Sequence, residues 1–126
     1  DISSGENHTL LLGKSGAVYS FGLNSNGQLG TGNTSNYKAP VQIGVSNIEK
    51  VSAKGNTSFA ITSEGTVYAW GEGYTKAPKL LDLTNVIDIS KTYYLSDDGI
   101  VRRIEDNENN HEIERKAFEM GGGTKG

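Results

Sequence analysis

Apolar positions along this chain fall in short alternating runs, which predict β-strands and not helices. Leu10 and Leu12 alternate with Leu11, and Phe59 and Ile61 alternate with Ala60. Each run leads into a turn signal, Ser15-Gly16 or Glu64-Gly65, and then a second run, Val18–Phe21 or Val67–Trp70. Asp98-Gly99 is a third such turn, and Gly suits it because it accepts a positive φ. Val, Ile, Tyr, Phe and Trp fit a pleated, half-buried surface. Pro40 and Pro78 are expected at a strand edge or start, where no ladder donor is needed. The one helical candidate is Asn109 to Met120, with Ile113, Ala117 and Phe118 at helical spacing.

These runs repeat. His8 to Gly22 aligns with Thr57 to Gly71 without a gap, at an offset of 49 residues. Gly16, Tyr19, Phe21 and Gly22 fall on Gly65, Tyr68, Trp70 and Gly71. A weaker third copy, Tyr93 to Val101, falls on Phe59 to Val67 at an offset of 34. The difference lies in a loop: the first unit has Leu23 to Ala39 where the second has only Glu72 to Ala77. Asp1-Ile2-Ser3 recurs as Asp88-Ile89-Ser90, so the chain is expected to open inside the last strand of a preceding unit. The expected divisions are units at about 1–47, 48–85 and 86–104, an acidic capping or arm segment at 105–120 and a flexible Gly-rich tail at 121–126.

Composition narrows the function classes. The net charge of −3 and the lack of a basic face give no reason to expect a nucleic-acid partner. The chain has no cysteine, so disulfides and thiolate metal sites are excluded. Its apolar runs are far too short for a transmembrane helix. The 126 residues and lean 34% apolar content suit one domain of short strands. An Asn/Gly/Ser/Thr-rich, cysteine-free chain is compatible with a secreted or cell-surface bacterial repeat protein, although the compartment does not follow from it.

Gly5-x-x-His8-Thr9-x-x-Leu12, then Gly16-x-Val18-Tyr19-Ser20-Phe21-Gly22-x-Asn24-x-x-Gly27-Gln28-Leu29-Gly30-x-Gly32, then Pro40, resembles one full repeat of the regulator-of-chromosome-condensation type. The second unit keeps the strand pair but lacks the Gly-Gln-Leu-Gly loop, and the third keeps only its first hairpin. The resemblance covers about residues 1–104 and implies an all-β fold of propeller blades, each a four-stranded antiparallel sheet of about fifty residues. It also implies protein partners and a scaffold role, with no cofactor. About two and a half units are too few to close a propeller, which needs about four to eight blades. The missing blades are expected either in a longer chain or from further copies of this one, as a homo-oligomer.

Candidate chemistry is sparse. His8 stands where the family repeat usually has His, which implies a hydrogen-bonding role within the blade, and His111 lies in the acidic segment. Asp97, Asp98, Glu105, Asp106 and Glu108 are oxygen ligands of the kind calcium takes, but they lack calcium-loop spacing and read as a solvated face. Gly27-Gln28-Leu29-Gly30-Thr31-Gly32 follows a strand, yet no Lys-Ser/Thr follows the glycines, so turn chemistry explains it better than phosphate binding. Phe21 and Trp70 could form a sugar platform, but periodic aromatics more often pack blade to blade. Asn7, Asn33 and Asn56 open glycosylation triplets, which matter only in a eukaryotic secretory route. No nucleophile–base pair is visible by spacing, and no enzyme is expected.

Two functions are expected to compete. One is a protein-binding scaffold that contacts its partner through Asn24, Ser25, Asn26 and Tyr37, where substitutions would alter binding and leave folding intact. The other is a structural protein whose incomplete repeats associate edge to edge.

Overall fold

A computed structural model describes residues 1–104; the expected helix at 109–120, His111 and the segments 105–120 and 121–126 lie outside the described residues. The described chain is all β. Strands β1 (Ile2–Ser4), β2 (His8–Leu12), β3 (Val18–Gly22) and β4 (Tyr37–Gln42) form one antiparallel sheet in sequential order. Strands β5 (Ile48–Lys54), β6 (Thr57–Thr62), β7 (Val67–Gly71) and β8 (Lys79–Leu80) form a second. Strands β9 (Val86–Ile89), β10 (Tyr93–Ser96) and β11 (Val101–Arg103) form a third, three-stranded sheet.

The start of the chain differs from expectation. Ile2–Ser4 pairs with β2 through Ile2 with Leu11 and Ser4 with Thr9. It is the first strand of its own sheet, in the place β5 and β9 take in theirs, and not the last strand of an earlier unit. The recurring Asp-Ile-Ser marks the strand that opens the first and third sheets, and Lys50-Val51-Ser52 takes its place in the second.

The three sheets stack face to face, and the apolar pattern shows how. Leu10, Val18 and Ile43 of the first unit pack against Val51, Ala53, Ala60 and Trp70 of the second. From the opposite face of the second sheet, Phe59, Ile61, Val67 and Ala69 pack against Val86, Ile89, Tyr94 and Ile104 of the third. Every residue of β6 is therefore buried, whereas β2 alternates buried with half-buried positions. A strand covered on both faces has no polar side to offer, which is why Thr57-Ser58 must find internal hydrogen-bond partners.

The turns repeat as well. Gly16, Gly65 and Gly99 have φ of 88°, 85° and 83°, and a side chain at Gly65 would put its Cβ 2.9 Å from Asn85 Cα. That Asn and its counterpart Asn47 hold positive φ themselves, 57° and 60°. They place a backbone bond between sheets: Ile48 N–H donates to Gly16 O at 3.2 Å, and Val86 N–H donates to Gly65 O at 3.0 Å. The Asn carbonyls accept in return from Ser63 N–H and Asp97 N–H, at 3.0 and 2.8 Å. Pro40 lies in the edge strand β4 and Pro78 directly precedes the edge strand β8, where neither is asked to donate.

Candidate functional site

At the end of the sheets opposite these turns, the loop between β3 and β4 divides into two parts. Its first part, Gly27 to Gly30, is buried and forms a strap wedged between the first and second sheets. Ser20 Oγ of β3 donates to Leu29 O at 2.7 Å, and Ser58 Oγ of β6 donates to Gln28 O at 2.7 Å. Gln28 Nε2 reaches Asn56 Oδ1 at 3.3 Å, and Gly32 N–H donates to Lys76 O at 3.1 Å. Gly30 lies against the Trp70 indole; an added Cβ would stand 2.8 Å from its Nε1, at a φ of 75°. Glycine is needed there for both space and backbone.

Asn24 holds the second part. Its Nδ2 donates to Asn33 O and Ser35 O, both at 2.9 Å, with Thr31 Oγ1 at 3.1 Å. Its Oδ1 accepts from Leu29 N–H at 2.9 Å, tying the outer loop to the strap. Asn24 is wholly buried, whereas Ser25 and Asn26 are exposed and Tyr37 is half-buried. The four expected contact residues therefore split: three reach the surface, and Asn24 organises the loop from inside. With its side chain engaged this way, substitution of Asn24 is expected to cost the fold stability, where the sequence alone led to the expectation that folding stays intact. Asn33 Nδ2 reaches Tyr37 Oη at 3.4 Å, so the outer loop carries its own network.

His8 also crosses between sheets instead of bonding within its own blade. Its Nε2 lies 2.8 Å from Ser58 Oγ. The single Ser58 proton goes to Gln28 O, so His8 must be the donor through Nε2–H and carry no proton on Nδ1. Sequence spacing hid this pair, which is 50 residues apart. It is not a nucleophile and its base, because Ser58 is wholly buried and its proton points at a carbonyl. Burial lowers the His8 pKa to about 4 from 6.5. The unfolded chain takes up the proton as pH falls below 6.5, and the folded chain does so only near 4, so stability is full above 6.5 and falls between those values. The loss approaches about 3 kcal/mol. Thermal melts of the wild type and His8→Gln from pH 7 to 4.5 are expected to diverge, with the wild type losing more; parallel curves would count against this account.

The other candidates are dispersed. Tyr19, Phe21 and Gly22 lie on β3 and Gly16 in the turn before it, and Tyr68, Trp70, Gly71 and Gly65 take the same places on and before β7. Trp70 packs in the core between the two sheets, while Phe21 is half-buried on the outer face of the first sheet. Asp98 is used locally, accepting from Ile100 N–H and pairing with Arg102 at 3.5 Å. Among the described residues no group of three or more His, Asp or Glu could hold a metal ion. Asn7 and Asn33 are exposed, and Asn56 is half-buried beneath Gln28.

Stacked antiparallel sheets of up to four sequential strands, joined by loops at one end and backbone-bonded turns at the other, are blades of a β-propeller. The repeat type follows from the comparisons. A model described as the Regulator of chromosome condensation (RCC1) repeat matches residues 15–61, and a second model of the same description matches residues 1–28. The chain carries RCC1-type repeats over residues 1–61. It is similar to the X-linked retinitis pigmentosa GTPase regulator of Mus musculus, with 38% identity over 86 residues, 65% of this chain and 9% of that protein. Among solved structures, human WBSCR16 matches with a TM-score of 0.73 at 23% identity, covering 80% of this chain and 31% of that one. Prp20p from Saccharomyces cerevisiae matches with 0.70 at 20% identity, covering 80% and 32%. The chain thus spans about a third or less of these relatives, and the two structural likenesses speak to the fold.

Proposed function

We propose that the chain is a non-enzymatic, protein-binding part of a β-propeller, with the β3–β4 loop as its contact surface. The observation that carries this reading is the division of that loop. Its base is locked by Asn24 and the strap, and its outer part, Leu23, Ser25, Asn26 and residues 32–36, is open to solvent. A preorganised loop loses little conformational freedom on binding, which favours recognition. Prp20p has recorded binding properties to Gsp1p and histones, so a propeller of this type with protein partners is precedented. The net charge of −3 gives no support to a nucleic-acid partner. The test is affinity capture with the full chain beside a Ser25→Ala/Asn26→Ala/Tyr37→Ala variant. The variant is expected to lose the captured protein at least about tenfold while its melting temperature stays within a few degrees. Equal capture by both would reject the loop as the contact.

A second reading is self-association. Thr9, Leu11, Tyr19 and Phe21 form the first sheet's outer face, and their counterparts Ser58, Ala60, Tyr68 and Trp70 are the face that the first sheet covers on the second. Ile2, beside that face, is 64% exposed. Another blade, from more chain or from a second copy, would cover it. Light scattering decides: a particle that is a multiple of 13.5 kDa supports assembly, and a monomer at high concentration removes it.

A further inference from the structure

The two junctions between sheets differ at their loop ends. Between the first and second sheets, the strap fills the space: Gln28 and Leu29 are buried, their carbonyls are held by Ser58 and Ser20, and Gly30 lies on Trp70. Between the second and third sheets, the residues that received the strap are altered. Offsets of 49 and 34 place Ala69 where Ser20 was, Thr92 where Ser58 was and Ile104 where Trp70 was. The loop that would supply a strap is only Glu72 to Ala77. What remains is a groove of about 560 Å³ lined by Thr57, Tyr74, Leu81, Leu83 and Ile104, with the exposed Glu72 and Lys91 also along it. Part of the lost contact is recovered by Tyr74, whose ring meets Phe59 edge to face at 5.9 Å, and by the Lys91–Glu72 pair at 3.7 Å. Neither closes the groove.

We infer that this groove takes in a segment of a protein partner, presenting a leucine-class side chain within a short stretch bounded by glycines, in the place the strap fills one junction earlier. The argument for that occupant is internal to the molecule. The same two-sheet geometry shows, at the first junction, what such a space holds: a short stretch with a buried glutamine and one large apolar side chain, Leu29, bounded by Gly27 and Gly30, the latter close against an aromatic ring. Loss of the hydroxyl at Ala69 and of the indole at Ile104 removes part of the tether for a strap in cis, while the apolar floor of Leu83 and Ile104 stays in place. The inference rests on reading the chain as a protein-binding module but uses a surface separate from Ser25, Asn26 and Tyr37.

The test is an NMR titration of the isotopically labelled full chain with a synthetic peptide of the strap's own sequence, residues 24–32. Saturable shifts are expected at Tyr74, Leu83 and Ile104. A peptide with alanine in place of leucine should bind at least about tenfold more weakly. Ile104→Trp, which restores the ring on which the strap lies at the first junction, should tighten binding of the peptide; Tyr74→Ala, which removes part of the groove wall, is the second variant and should weaken it, so that the test stands if Ile104→Trp fails to fold. The Ser25→Ala/Asn26→Ala/Tyr37→Ala variant should bind the peptide as the wild type does, so failure of the loop reading is seen separately. Absence of saturation, equal binding of the two peptides, or shifts confined to Trp70 or Phe21 would overturn the inference.

Discussion

Replacing Trp70 by alanine is expected to remove about 3–5 kcal/mol of stability, a large part of what a small domain has. Trp70 is wholly buried and is the largest side chain in the core shared by the first two sheets. Its removal opens a void between layers that are fixed by backbone bonds on either side, so the void cannot collapse freely. Chemical denaturation measures the loss directly. Trp70→Phe should cost less, since Phe21 shows that the blade accepts a phenyl ring at this place. Gly30→Ala adds a diagnostic. Its new Cβ would meet the indole nitrogen at 2.8 Å, so the cost of Gly30→Ala should fall when Trp70 is already Phe. What persists in that background is the strain of alanine at a φ of 75°. If the two substitutions add without coupling, the strap does not rest on the indole as described.

The second large effect is at Asn24. Alanine there removes the acceptor for Leu29 N–H and the donors to Asn33 O and Ser35 O. Leu29 N–H is then left buried without a partner, and the expected cost is about 2–3 kcal/mol. Asn24→Asp keeps the acceptor and the shape but turns a carboxylate oxygen toward two carbonyls, so it should be no better tolerated. Urea melts of both variants check this. Were Asn24→Ala to retain wild-type stability while losing a binding partner, Asn24 would be a contact residue and the loop would have another organiser.

These two residues show what the sequence could and could not reveal. The strands, the hairpin turns at Gly16, Gly65 and Gly99 and the matching of Phe21 with Trp70 are local or periodic, so spacing alone exposes them. Burial on both faces of β6 was hidden, because Thr57-Ser58-Phe59-Ala60 looks half polar until the partners of the hydroxyls are known. The bond from His8 to Ser58 was hidden for a different reason. It joins neighbouring blades, and a repeat alignment compares equivalent residues without saying which ones touch. The burial of Asn24 was hidden because Asn in a Gly/Ser-rich loop reads as exposed; the carbonyls that it gathers come from residues up to 11 positions away. Asn47 and Asn85 could have been found. They stand 38 residues apart, each before the first strand of a sheet, in the spacing that also relates Pro40 to Pro78.

The turn end of the blades has an implication for how such an array can change over time. There the sheets are joined by carbonyl and amide groups of Gly16, Ile48, Gly65 and Val86, and substitution of a side chain cannot delete a carbonyl. At the loop end, two backbone bonds, Glu6 N–H to Gly55 O and Gly32 N–H to Lys76 O, are joined by ties through hydroxyls, an imidazole and an indole; each of these side-chain ties is removable by one codon change, and between the second and third sheets several are already gone. The angle from blade to blade is thus written in the part of the polymer that mutation reaches least, which leaves the opposite rim free to diversify without bending the array.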